Sequence, residues 1–211
     1  MKDYLKGLID RFPELIEIQD TIVSSYEIIR NCYQNGGTLF VCGNGGSAAD
    51  AEHIVGELMK GFMLKRPIDD KLKNKLADRF GKNGKFIGDN LQDGLRTVSL
   101  TGHPALSTAF ANDVESSLIF AQQLHVLGRP GDVLLALSTS GNSENVLRCI
   151  ELAQVKDIKT VLFTGASGGK CAEIADISVT VPAESSFEVQ EYHLPIYHAL
   201  CMMLENYFYK S

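Results

Sequence analysis

The chain has no apolar stretch approaching the roughly 20 residues needed to span a bilayer. Its longest candidates, such as Val133 to Leu137, are strand-sized, so no membrane partner is expected. No apolar run follows a basic start, and no signal peptide is expected. There is no CxxC pair, and the five cysteines, Cys32, Cys42, Cys149, Cys171 and Cys201, are odd in number. Both facts argue against a disulfide framework or a cysteine-rich zinc site and for buried, reduced thiols in a cytoplasmic protein. Positive charge is not in excess either. The formal net charge is -6, which speaks against a broad nucleic-acid surface. No internal repeat and no low-complexity tract occurs.

What is present suits one ordinary globular domain with a helical extension. The 211 residues are 45% hydrophobic and 22% charged, enough to bury a core without staples. Residues 1–35 are helical in pattern. Leu5, Leu8, Ile9 and Phe12 share a face, and Leu15, Ile16, Ile18, Ile22, Val23, Ile28 and Ile29 continue at helical spacing, with Pro13 placed to start the second helix. The domain proper is expected over 36–211. Five short apolar runs follow, at Thr38–Cys42, Thr97–Leu100, Val133–Leu137, Thr160–Phe163 and Ile177–Val181. Helical patterns separate them, roughly at 47–62, 104–127, 143–156 and 168–175, and a last one covers Glu188 to Tyr209. Nearly continuous apolar strands alternating with helices predict an α/β fold, a three-layer αβα sandwich around a parallel five-stranded sheet. Residues 63–96 interrupt the order. They are polar, charged and punctuated by glycine, and Leu72, Leu76 and Phe80 could form one amphipathic turn and a half. A segment of this length is either a solvated insertion or a functional one.

Two loops stand where a strand becomes a helix. In Cys42-Gly43-Asn44-Gly45-Gly46-Ser47, the glycines let the backbone approach an anion, and the following helix offers free N–H groups. A tight turn with Ser47 as helix cap reads the same residues equally simply. The sequence is not GxGxxG, so no dinucleotide is implied. The second loop, Ser138-Thr139-Ser140-Gly141-Asn142-Ser143, concentrates hydroxyl donors without a cation. A plain cap needs one hydroxyl. This richness points to a phosphate monoester held by hydroxyls, N–H groups and a helix dipole.

His53 and Glu57 are four apart, on one face of the helix after the first loop. Gln190 and His198 are eight apart, about one face of the last helix. A carboxylate with an imidazole suits a proton transfer beside a carbonyl near neutral pH. The spacing alone also fits a surface helix pair. His193 points to a different face, and His103 and His125 fit no constellation.

GNGGS followed by LSTSGNSENV resembles the SIS (sugar isomerase) fold, and more narrowly the bacterial sedoheptulose-7-phosphate isomerases. The resemblance covers nearly everything from Asn35 onward except 63–96, and the N-terminal helices fit the family's helical extension. It implies an aldose–ketose isomerase acting through an enediol on a phosphorylated sugar, with seven carbons expected, in heptose biosynthesis. It implies a homotetramer with active sites between subunits. It assigns phosphate and sugar binding to Asn44, Gly45, Gly46, Ser47, Ser138, Thr139, Ser140, Ser143 and Gln190, with Asp113 of Asn112-Asp113 on the sugar hydroxyls. Glu57 and His198 match the family's catalytic pair. His53, Glu57, Gln190 and His198 match four positions that hold zinc in some members, a plausible ligand set. No nucleotide or redox cofactor is implied. Phe187 stands three residues before Gln190, where relatives place a polar contact to substrate. Another phosphosugar, or a non-catalytic SIS sensing or protein-binding module, stays open as an alternative.

Overall fold

The computed structural model describes residues 2–210. Helix α1 (Lys2–Arg11) is followed by a 3-10 turn (Pro13–Ile18) and helix α2 (Gln19–Gln34). Pro13 therefore opens a 3-10 turn, and the regular helix begins six residues later than expected. Strand β1 (Leu39–Gly43) leads into helix α3 (Gly46–Met59). Helix α4 (Asp70–Asn90) precedes strand β2 (Thr97–Ser99). Helix α5 (Pro104–Phe110) and helix α6 (Ile119–Leu127) are separated by a π turn (Ala111–Glu115) and a 3-10 turn (Ser116–Leu118), so the helical pattern at 104–127 is broken. Strand β3 (Val133–Leu137), helix α7 (Glu144–Val155), strand β4 (Lys159–Thr164), helix α8 (Gly169–Ile174), strand β5 (Ile177–Thr180) and helix α9 (Ser186–Tyr209) complete the chain. No described helix is long and apolar enough to cross a membrane.

The five strands form one parallel sheet in the order β2-β1-β3-β4-β5, as the alternation of runs and helices required. Its pleat sorts side chains to two faces. Leu39, Val41, Val133, Leu135, Val161 and Phe163 face a core completed by α1, α2, α3 and α9. Phe40, Cys42, Leu134, Ala136 and Leu162 face a second core under α6, α7 and α8. The strands are covered on both sides, which is why they read as unbroken apolar runs. Each fully buried aliphatic side chain contributes at most about 1.5–3 kcal/mol. All five cysteines are free and buried. Asp132 ties the start of the two central strands together, accepting from the N–H of Thr38 and of Arg129 at 2.8 Å each.

The insertion is more ordered than its composition suggested. Asp69 caps α4 by accepting from the N–H of Leu72 at 2.9 Å. At Gly81 (φ 55°) the helix breaks and folds back. Gly84 then packs on the backbone of Leu76, and a Cβ on Gly88 would stand 3.3 Å from Lys73. The segment is a helical hairpin whose two arms meet at glycines.

Candidate active site

The strand order places a switch point between β1 and β3. After β1 the chain turns to α3 on one face of the sheet, and after β3 to α7 on the other. The crevice this opens at the carboxyl ends of neighbouring strands is where open α/β sheets bind ligands. Both loops singled out from the sequence border it.

Asn44 and Asn145 exchange amide hydrogen bonds of 2.8 and 2.9 Å, joining the first loop to the start of α7. Gly45 takes a left-handed φ of 57° as the N-cap of α3 and contributes no side-chain bond. Ser47 is therefore not the helix cap; it lies buried inside the first turn. A Cβ on Gly46 would stand 2.5 Å from Oε1 of Gln190, so glycine is what lets α9 bring that amide onto the loop. In the second loop, the buried Ser138 donates to Ser143 Oγ at 3.1 Å. Thr139 Oγ1 lies 3.1 Å from Ser186 Oγ at the start of α9. Ser140 Oγ accepts from the N–H of Asn142 at 3.2 Å. Gly141 (φ 63°) presses on the carbonyl of Gly168, where a Cβ would not fit. Ser143 occupies the N-cap of α7 without committing its hydroxyl to the cap. A rigid turn of hydroxyls at a helix N-terminus is chemically an anion cradle.

Helices α3 and α9 pack side by side and run in the same direction, Gly46 beside Gln190 and His53 beside Tyr197 and His198. His53 Nε2 is 3.1 Å from Glu57 Oε1, and Glu57 Oε2 lies 3.4 Å from Lys60 Nζ. The rings of His53 and His198 meet edge to face at 5.0 Å. Nε2 of His198 is buried without a hydrogen-bond partner. Burial lowers the pKa of His198, the charge of His53 and the Arg11 guanidinium lower it further, and Glu57 opposes them. The net effect favours neutral imidazole. A cavity of about 370 Å3 between α1 and α9 reaches His198 and is also lined by Tyr4, Arg11 and Phe62.

Glu57, His53 and His198 thus gather, and Gln190 joins the loops instead. It lies eight residues, about 12 Å of helix rise, from His198. Among the described residues no three His, Cys, Asp or Glu side chains are arranged to hold a metal ion. Asp113 lies exposed in the π turn, bonded to Asn112 at 2.8 Å, with no hydrogen bond to either loop.

Sequence reasoning passed over four participants. Asp50 stands three residues before His53 on the same face, so spacing alone could have found it. Tyr197 adjoins His198 but is recognisable only once α3 and α9 are paired. Asn145 lies inside the LSTSGNSENV motif. Arg66, in the insertion, donates to the carbonyls of Leu58 and Glu57 at 2.8 and 3.3 Å, holding the last turn of the helix that carries Glu57.

This geometry has known counterparts. The SIS-domain family profile matches residues 3–79 and 92–165, leaving out the second arm of the hairpin. A phosphoheptose isomerase from Aneurinibacillus thermoaerophilus is 32% identical over 221 aligned positions, covering all of this chain and 97% of its own. One from Thiobacillus denitrificans is 40% identical over 174 positions, covering 81% of this chain and 75% of its own. The solved phosphoheptose isomerase from Francisella tularensis superposes with a TM-score of 0.76 at 29% identity, covering 97% and 96% of the two chains. With this fold, these two loops and identity over essentially its full length, the chain belongs to the SIS-domain family and, within it, to the phosphoheptose isomerases.

Proposed function

We propose that this enzyme converts sedoheptulose 7-phosphate to D-glycero-D-manno-heptose 7-phosphate. The carrying observation is the pairing of an anion cradle at the β1/β3 crevice with a Glu57–His53–His198 cluster, in a phosphoheptose isomerase relative. The loop Ser138–Ser143 and the N-terminus of α7 take the phosphate; Asn44, Ser47, Gln190 and Asp113 serve the sugar chain. Glu57, as carboxylate, removes the proton from C1 of the ketose, giving an enediol, and returns it to C2 of the aldose. In the same passage O1 loses its hydroxyl proton and O2 gains one. Neutral His198 can both accept and donate, so one imidazole serves both oxygens. No step of this scheme uses a metal.

We infer a homotetramer in the cytoplasm from the same resemblance. Zinc is a separate proposal. His53, Glu57 and His198 are its nearest candidate ligands, and the ion would supply polarisation of the substrate carbonyl. Metal analysis of protein purified without chelator, expected to show about one equivalent per chain, decides that point independently of turnover.

The central test is turnover on a panel of C5 to C7 ketose phosphates. The native enzyme is expected to prefer the C7 substrate. Glu57→Gln and His198→Asn should each lower kcat by orders of magnitude, and the double variant should lose far less than the product of the two losses. Near-native turnover by both folded single variants would exclude the scheme. Preference for a shorter sugar would favour a second reading, the same chemistry on another phosphosugar. Phe187, exposed at the start of α9 where a polar contact was expected, is the observation behind it.

A further inference from the structure

The hairpin of α4 stands apart from both cores. Among the described residues, its side-chain hydrogen bonds and ion pairs stay within 69–90. None of its apolar side chains joins the packing on either face of the sheet. Phe80 and Phe86 are 55% and 69% exposed. Aromatic surface left in water gains nothing for folding. The hairpin is also the basic part of the molecule. Residues 71–85 hold Lys71, Lys73, Lys75, Arg79, Lys82 and Lys85 against one acid, Asp78, five positive charges in excess. The whole chain stands at -6, so everything outside the hairpin stands at -11. At the bend, the Arg79 guanidinium lies over the Phe80 ring, 5.6 Å from its centroid.

A counterpart lies elsewhere on the same chain. A cavity of about 310 Å3 at the start of α9 is lined by the carboxylates of Glu14, Glu188 and Glu191 and by the rings of Phe12 and Tyr192. Tyr192 donates to Glu14 Oε1 at 2.6 Å, and the two rings meet edge to face at 6.3 Å, so these walls are held in place before anything enters. Among the described residues no Lys or Arg forms an ion pair with any of the three carboxylates. Arg11 lies over the Phe12 ring at 5.3 Å and pairs with none of them.

We propose that the basic, aromatic bend of the α4 hairpin docks into the acidic cavity at the start of α9 in a second copy of this chain. Charge and chemistry match on both sides. Cations interleaved with Phe80 meet carboxylates interleaved with Phe12 and Tyr192, where an aromatic anchor and a guanidinium are both favoured. A polyanion large enough to engage the hairpin would also face a body of net charge -11. Each copy offers one hairpin and one cavity, so a twofold pairing makes the contact twice and closes on itself. The hairpin precedes β2 and the cavity follows β5, the two edge strands of the sheet. Four strand spacings, about 19 Å, separate those edges, which sets the contact between copies. It rests on the homotetramer inferred above and names one of its interfaces, and it uses nothing of the catalytic scheme.

The test is cross-linking with a water-soluble carbodiimide, which condenses a lysine amine with a carboxylate to an amide and takes up the water released. In the native protein, the covalent dimer isolated on a denaturing gel should yield peptides that join a lysine of residues 71–85 to Glu14, Glu188 or Glu191. The monomer band should not. Arg79→Glu combined with Phe80→Ser keeps every lysine of the hairpin and removes its anchor. The yield of those peptides should fall about tenfold or more, as for loss of an interface hot spot, with the far-ultraviolet circular dichroism unchanged. Glu191→Lys, on the receiving side, should lower the yield of links to Glu14 and Glu188 in the same way, and decides the matter if the hairpin variant does not fold. About 1 M salt, which screens beyond roughly 3 Å, should lower the native yield as well. The same links in the monomer band, links to other carboxylates only, or an undiminished yield in the folded variants would each overturn the contact. Native protein that gives no such links but binds single-stranded DNA or phosphatidylserine vesicles, with binding lost in the hairpin variant, would overturn it in favour of a polyanion. Sedimentation separates the two readings: a tetramer without these links removes the contact alone, and a monomer removes the contact and the tetramer together.

Discussion

Gly46 shows how a single missing side chain builds a site. The amide of Gln190 fills the space a Cβ would occupy, with Oε1, Nε2 and Cδ at 2.5 to 2.8 Å from that position. Because the obstruction is the end of a flexible side chain, Gly46→Ala should displace the amide rather than unfold the protein. The expected result is a stability change under about 1 kcal/mol with phosphosugar affinity weakened several-fold, read by calorimetry beside chemical denaturation. Native affinity would detach Gln190 from substrate binding. The sequence made Gly46 and Gln190 recognisable as separate candidates, through the GNGGS loop and the eight-residue spacing of Gln190 from His198. Their contact was not legible, because it depends on how α3 lies against α9. The same gap hid Tyr197. Its place in the cluster comes from the Asp50 and His53 it faces across two helices, not from its neighbours in the chain.

At the scale of elements, the hairpin of α4 inverts the usual rule. Its buried residues are Gly84 and Gly88, while Phe80, Phe86 and Ile87 are exposed. Apolar periodicity therefore showed only the turn and a half at Leu72, Leu76 and Phe80, and not the two arms that span Asp70–Asn90. The repeated glycines were legible, but they read as loop punctuation when they are in fact the packing surface between two arms. Gly84→Ala separates these views. On an open helix the change would stabilise by about 1 kcal/mol through propensity. In the hairpin, the new methyl collides with the carbonyl of Leu76. We expect faster amide exchange across residues 70–90 with no change in the sheet; slower exchange would show that the arms do not pack as described. The β elements were easier to read, since Val133–Leu137 is an apolar run with the same bounds as β3. A strand covered on both faces has little else to be.

For the whole molecule, one buried ion pair joins the insertion, the helix bearing Glu57 and the end of α9. Arg66 and Glu205 are both essentially without solvent exposure, 2.8 Å apart. Glu205 also accepts from the N–H groups of Phe62, Met63 and Leu64 at 2.8, 2.8 and 3.2 Å. Arg66 neutralises carbonyls at the C-terminus of α3 that would otherwise be orphaned. A pair with so many backbone partners is not replaceable by two apolar residues, because the three N–H groups would lose their acceptor. Burial raises the pKa of Glu205, but the backbone donors and Arg66 outweigh it, and the carboxyl is held below its ordinary range. The sign of the pH effect follows. A carboxyl whose folded pKa is depressed stabilises the fold fully above its unfolded value of about 4.3 and loses that contribution as pH falls through the folded value. Glu205→Gln should therefore cost about 3–5 kcal/mol at neutral pH. The gap to native should narrow steadily below about pH 4.3, as the native carboxyl takes up its own proton. Urea unfolding at a series of pH values measures both curves. A gap that is small at neutral pH, or that widens on acidification, would mean that Glu205 is not the charged centre of this junction.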